Sequence, residues 1–218
     1  MAKDLLKTLE EQVEPKHTAL IIIDTQEDFC AGDGACARFG WDVSQIQDAV
    51  KQLSTLIHEA IEAGVAVIWV RTSFTIDRMR PNYIAMSGAG KMVSRKGELL
   101  ILEEGSDGTR WYSEMSQPLP DEYIITKWHY DAFEDTNLDI LLQSNGVRTL
   151  LFTGVLSNVC VEISARHGFI KGYYIVLVSD CTASFTQSEY DSAVFNIKSC
   201  FGTVCTGSEL AKIWNHPE

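Results

Sequence analysis

TLLFTGVLSNVCVEISARHGFIKG, residues 149–172, carries the plan of the fold in one stretch. Its first five residues, Thr149–Thr153, are apolar or β-branched and lack polar alternation, so they read as a strand covered on both faces. A glycine-containing turn follows. Residues Asn158–Lys171 then read as a helix that stops near Gly172. Outward from this stretch, the runs Thr18–Ile23 (TALIII), Val65–Val70 (VAVIWV), Tyr123–Thr126 (YIIT) and Tyr174–Val178 (YIVLV) have the same buried-strand character. Helical stretches lie between them. Val43–Ala63 places Ile46, Val50, Leu53, Ile57 and Ile61 close to helical spacing and ends at Gly64. Thr136–Asn145 is entered through Asp135 and Thr136, both good caps, and stops at Gly146. Ser188–Cys200 and Ser208–Trp214 complete the set. This alternation predicts an α/β fold, a doubly wound three-layer αβα sandwich around a mostly parallel sheet of about six strands, with right-handed crossovers. The expected organisation is one domain over residues 1–218. A segment at about 71–121 interrupts the pattern with no strong strand; its aromatic and apolar residues predict an ordered lid.

Composition narrows the function classes. The 218 residues carry a formal net charge of −12, which repels a phosphate backbone or an anionic membrane surface. Neither nucleic acid nor membrane is expected as a partner. No apolar run approaches the length of a membrane span. The opening MAKDLLKTLEEQVEPKH reads as a polar helix rather than a secretory leader. Six cysteines occur without a C-x-x-C or companion histidines, so no metal site is expected and a reducing cytoplasm with free thiols is the simplest compartment.

In open parallel sheets, ligands bind beyond the carboxyl ends of the strands. Asp24 directly follows TALIII, Lys127 directly follows YIIT, and Cys160 lies a short turn after TLLFTG. Three separate strands thus deliver a carboxylate, an ammonium and a thiol to one rim. Ser157 or Asn158 is expected to cap the next helix, with Cys160 in its first turn. There the helix dipole and Lys127 would depress the thiol pKa. Asp24 would take the thiol proton and pass it to a leaving nitrogen. Taken singly, each residue also has a plain structural reading: a buried cysteine as a small hydrophobe, an aspartate as a turn cap, a lysine as a solvated charge.

The segments TALIIIDTQEDF, IITKWHYDAF and LLFTGVLSNVCVE resemble the isochorismatase-like cysteine hydrolases, a group of nicotinamidases and of N-carbamoylsarcosine, biuret and ureidoacrylate amidohydrolases. The resemblance runs from about residue 17 to 205 and is nearest to the ureidoacrylate group, on PNY at 81–83, NVCVE at 158–162 and FNIKSCFG at 195–202. It implies a catalytic triad of Asp24, Lys127 and Cys160, a cis peptide between Val155 and Leu156, and an oxyanion hole from the N–H groups of Leu156 and Cys160. It further implies cleavage of a C–N bond in a small amide, ureide or carbamoyl compound through a thioester, with no cofactor, in a homodimer or homotetramer. RTSFTIDRMR lacks the histidines of the nicotinamidase metal site. Gln26, Phe29, Tyr83, Tyr130 and Trp111 are the candidate substrate contacts. His129 reads equally as a contact or a loop residue, and His167 as structural. Arg71, Arg78 and Arg80 read either as carboxylate ligands or as surface charges. Two other classes compete: a non-catalytic metabolite-binding or scaffold member of the fold, and a thiol redox sensor pairing Cys160 with Cys181.

Overall fold

The computed structural model describes residues 5–86, 93–94 and 97–215. Six strands form one sheet: β1 (Thr18–Ile23), β2 (Ala66–Thr72), β3 (Tyr123–Lys127), β4 (Thr149–Val155), β5 (Tyr174–Ala183) and β6 (Thr203–Cys205). Their order is β3-β2-β1-β4-β5-β6 and every pairing is parallel. The chain winds outward from β1 to β3, then returns to place β4 on the other side of β1. The strand order therefore reverses between β1 and β4, the position at which such sheets leave a crevice beyond their carboxyl ends.

The two faces follow from the two-residue period of a strand. Leu20 and Ile22 face one apolar core with Trp69, Leu151 and Val176. Ala19, Ile21 and Ile23 face the other with Val70, Phe152 and Leu177. Helix α1 (Ser44–Ala63) covers the first face through Ile46, Val50, Leu53 and Ile57, and ends at Gly64, whose φ of 80° closes the helix in the left-handed region. Helices α2 (Leu138–Ser144), α3 (Glu162–Ile170) and α4 (Gln187–Asn196) lie on the second face, and α5 (Gly207–Asn215) returns to the first. Among the described residues, no helix is long and apolar enough to cross a membrane.

Several boundaries differ from expectation. β2 runs on to Thr72 because Arg71 and Thr72 pair with Thr126 and Lys127. β5 continues through the polar SDCTA to Ala183, because after an irregularity in register Thr182 and Ala183 pair with Gly154 and Val155. β6, three residues long, has no counterpart among the apolar runs. The opening segment is shorter than one helix: only Leu9–Gln12 is α-helical, capped by Thr8, and residues 1–4 lie outside the described residues. Thr136 does not cap α2 directly; Asn137 is the N-cap.

Between β2 and β3, where residues 87–92 and 95–96 of the expected lid lie outside the described residues, backbone pairing among the described residues holds the chain at two places. Phe74 N–H donates to Leu102 O at 2.8 Å and Glu104 N–H to Phe74 O at 2.9 Å. Tyr112 N–H donates to Thr25 O at 2.9 Å, and Gln26 forms an antiparallel bridge with Trp111. Asp28, almost fully buried, adds a clamp: its carboxylate accepts from Ala35 N–H at 3.1 Å and from Leu102 N–H at 2.7 Å.

Candidate active site

The carboxyl ends of β1, β2 and β3 meet at a buried ion pair. Lys127, the last residue of β3, reaches past β2 to place Nζ 2.7 Å from Asp24 Oδ2; neither side chain exposes any surface. The ammonium also donates to Thr72 Oγ1 at 2.6 Å and to His129 O at 3.1 Å. Thr72 in turn donates to Asp24 Oδ1 at 2.9 Å, so both carboxylate oxygens are occupied. Asp24 adopts a left-handed backbone with φ 53°, an uncommon state that Asp tolerates better than most residues. Its N–H still donates to Val70 O at 2.8 Å, which keeps the carboxylate over the switch point.

Cys160 comes to the same spot from β4. The strand approaches β1 so closely at Gly154 that a Cβ there would lie 2.0 Å from Ile23 O; Gly154 also has φ 90°. The Val155–Leu156 peptide is cis. The chain then enters α3 through a π-helical turn, Ser157–Val161, in which Val159 and Val161 both donate to Leu156 O. Turns of this type are frequent at functional sites. Cys160 lies in this first turn, as expected, but neither Ser157 nor Asn158 caps it. Both side chains bind β5 and its continuation instead: Ser157 Oγ lies 2.9 Å from Thr182 Oγ1, and Asn158 Oδ1 accepts from Ser184 Oγ at 2.9 Å. Ser164 locks the turn from below, donating to Cys160 O at 2.6 Å and accepting from Ala132 N–H at 2.9 Å.

The Cys160 thiol interacts with both Asp24 and Lys127. Burial pushes its pKa well above the ordinary thiol value; Lys127 pulls it down and Asp24 pushes it up. The expected depression is therefore corrected. The dipole and ammonium are outweighed by desolvation and by a carboxylate close enough to hold the proton in place. Burial pulls Lys127 downward, but Asp24 and Cys160 more than offset this and its pKa lies above the ordinary value. A neutral thiol beside an ion pair is suited to concerted proton removal, with Asp24 accepting as sulfur attacks.

Cys160 lines a cavity of about 130 Å³. Phe29, Trp41, Phe74, Leu156, Val159 and Phe185 line it too, together with Ile101, Leu102, Thr72 and Tyr130. Of the candidate contacts, Phe29 and Tyr130 are in this lining. Gln26 is not. It is fully buried, and its amide is used on backbone: it donates to Thr72 O and Thr109 O and accepts from Thr72 N–H, at 2.8, 2.9 and 2.8 Å. It holds the end of β2 in place. Tyr83 stands behind Tyr130, rings 4.8 Å apart, and its hydroxyl accepts from Tyr130 N–H. Trp111 packs against Trp69 in the core of the first face, at 5.2 Å. His129 contributes its carbonyl to Lys127, while its ring pairs with Asp135. His167 is structural, paired with Asp131 at 2.5 Å. The arginines are engaged elsewhere: Arg71 donates to Thr126, Arg78 lies over the Trp128 ring, and Arg80 pairs with Glu134 and Asp135.

Thr72, Trp41, Phe74 and Phe185 were absent from the sequence-based candidates. Thr72 had a usable signal: it closes β2 on the same rim as Asp24 and Lys127, opposite Lys127 in register. The aromatic walls had none, since they come from segments far apart in the chain. Cys181 belongs to the core on the first face and Cys160 to that on the second, and all six cysteines are free, so the redox pairing has no geometric support.

Comparison with known proteins agrees with this architecture. A ureidoacrylate amidohydrolase of Enterobacter sp. strain 638 is 32% identical over 215 residues, 93% of this chain and 91% of that protein. A cysteine hydrolase from Pseudomonas syringae pv. phaseolicola superposes with a TM-score of 0.82 over 99% of both chains at 24% identity. An isochorismatase family protein from Desulfovibrio vulgaris gives 0.75 over 92% of this chain and 99% of that one, at 22% identity. The isochorismatase domain model matches residues 18–209, from the first residue of β1 into α5, and the chain therefore belongs to the isochorismatase family.

Proposed function

We propose that the protein is a cysteine amidohydrolase that cleaves the C–N bond of a small amide, ureide or carbamoyl compound through a thioester on Cys160. The observation that carries this reading is the buried contact of a thiol, a carboxylate and an ammonium, with the thiol lining a largely apolar cavity. Such a cluster is costly to bury, and an apolar core would be at least as stable, so a chemical role accounts for it.

As the thiol sulfur attacks the substrate carbonyl, its proton passes to Asp24 and the carbonyl oxygen becomes an oxyanion. The N–H groups of Leu156 and Cys160 are assigned to receive that charge. When the intermediate collapses, the C–N bond breaks, the proton on Asp24 moves to the leaving nitrogen, and an amine or ammonia departs. Water then loses a proton to Asp24 and attacks the thioester. The C–S bond breaks and the thiol recovers its proton. Lys127 holds Asp24 in position through the cycle, and Thr72 fixes the carboxylate plane. The described part of the segment after β2 supplies Phe74, Ile101 and Leu102, which act as a lid that excludes water from the thioester.

Likeness to ureidoacrylate amidohydrolases favours a ureide among these substrates. The rival reading, a non-catalytic member of the fold, leaves the buried ion pair without a purpose. Replacement of Cys160 by Ala tests the proposal. Ammonia release should fall to background, with the thermal midpoint little changed. Turnover retained in that variant refutes the thioester route.

A further inference from the structure

The walls of the Cys160 cavity carry information about the substrate beyond its scissile bond. Trp41 and Phe185 stack with ring centroids 4.4 Å apart and an interplanar angle of 30°; Phe29 and Phe74 complete the aromatic surround. Among the described residues, no Arg, Lys or His side chain lines the cavity. Lys127, which interacts with Cys160, is fully buried with its charge matched by Asp24. Of the polar lining groups, Thr72 is committed to Lys127 and Asp24, and Tyr130 brings a neutral phenol rather than a charge. A carboxylate entering this space would exchange water for ring faces without gaining a counter-ion from the described lining, in a protein of net charge −12. The size is also restrictive. An apolar cavity of about 150 Å³ holds one benzene ring, and the space here is about 130 Å³.

We infer that the group occupying this cavity is uncharged, apolar and no larger than about one ring, so that the substrate is a neutral aryl or branched alkyl amide or urea rather than a carboxylate-bearing ureide. The inference rests on the hydrolase reading above and names its substrate class. It departs from the reaction in the name of the Enterobacter relative, whose identity to this chain is 32%.

The test measures ammonia release by the wild-type protein on two panels: benzamide, isobutyramide and phenylurea on the neutral side, 3-ureidoacrylate and N-carbamoyl-β-alanine on the anionic side. The best neutral compound should exceed the best anionic one in kcat/KM by at least about 100-fold, the scale set by desolvating an unpaired carboxylate. A higher kcat/KM for an anionic ureide overturns this inference and leaves the hydrolase reading intact. No hydrolysis of either panel by folded protein overturns both. A second variant, Trp41→Arg, places a guanidinium in the wall at a partly exposed loop position. It should narrow the neutral-to-anionic ratio by at least about tenfold through charge pairing. An unchanged ratio in a variant that melts like wild type overturns the assignment of this wall as the determinant.

Discussion

Replacing Lys127 by Met tests whether the ion pair is the centre of the site. The substitution keeps much of the side-chain length and removes the ammonium that bonds Asp24, Thr72 and the His129 carbonyl. At 2.7 Å the attraction to Asp24 is about 6 kcal/mol at an effective dielectric of about 20. Desolvation consumes much of this in the intact pair. Removing one partner leaves the other charge buried alone, at a cost of about 3–5 kcal/mol. Asp24→Asn should cost a similar amount, because it strands the ammonium. The double variant removes both charges and should lose far less than the two single losses together, with a coupling energy on the order of 3 kcal/mol. Urea unfolding followed by tryptophan fluorescence measures all four proteins, and the coupling should persist at high salt because neither group is exposed. Additive losses, agreeing within about 0.5 kcal/mol, would refute the view that these residues form one electrostatic unit. Turnover should be lost in all three variants.

Three further outcomes are expected. Since burial holds the Cys160 thiol well above the ordinary value, its thiolate fraction at neutral pH is small. Alkylation by iodoacetamide, mapped by mass spectrometry, should be slower at Cys160 than at the exposed Cys200 at pH 7 and still rising at pH 9; a plateau below pH 7 contradicts this. Gly154→Ala puts a Cβ 2.0 Å from Ile23 O at φ 90° and should destabilise the fold by at least about 3 kcal/mol, read from the urea midpoint. Asp28→Asn cannot accept from both Ala35 and Leu102 N–H groups with equal strength. It should cost about 1–3 kcal/mol, speed proteolysis within 99–108 and raise KM more than it lowers kcat; unchanged proteolysis would show that the clamp does not hold the lid.

Local pattern carried much of the architecture. Ile46, Val50, Leu53 and Ile57 announce α1 because one helix face must meet the sheet, and the apolar runs of β1 and β4 announce burial on both sides. Strand ends were less legible. Thr72 joins β2, and the polar SDCTA joins β5, only because neighbouring strands extend that far. The N-cap assigned to Ser157 or Asn158 failed because β5 and the segment after it offered those side chains buried partners. Gln26, Tyr83 and Trp111 were placed near the site by chain proximity or residue type, yet each packs behind it.

The sequence by itself determined the alternation of strand and helix and the delivery of Asp24, Lys127 and Cys160 to strand ends, because hydrophobic period and turn chemistry are local properties of the chain. Tertiary structure alone decided that Thr72 bridges the ion pair, that burial raises the pKa of the Cys160 thiol, and that rings from distant segments line the cavity beside it. Burial, counter-charge and cavity shape depend on which atoms surround a group, and those neighbours are fixed only when the sheet has closed and the long segment after β2 has packed across its rim.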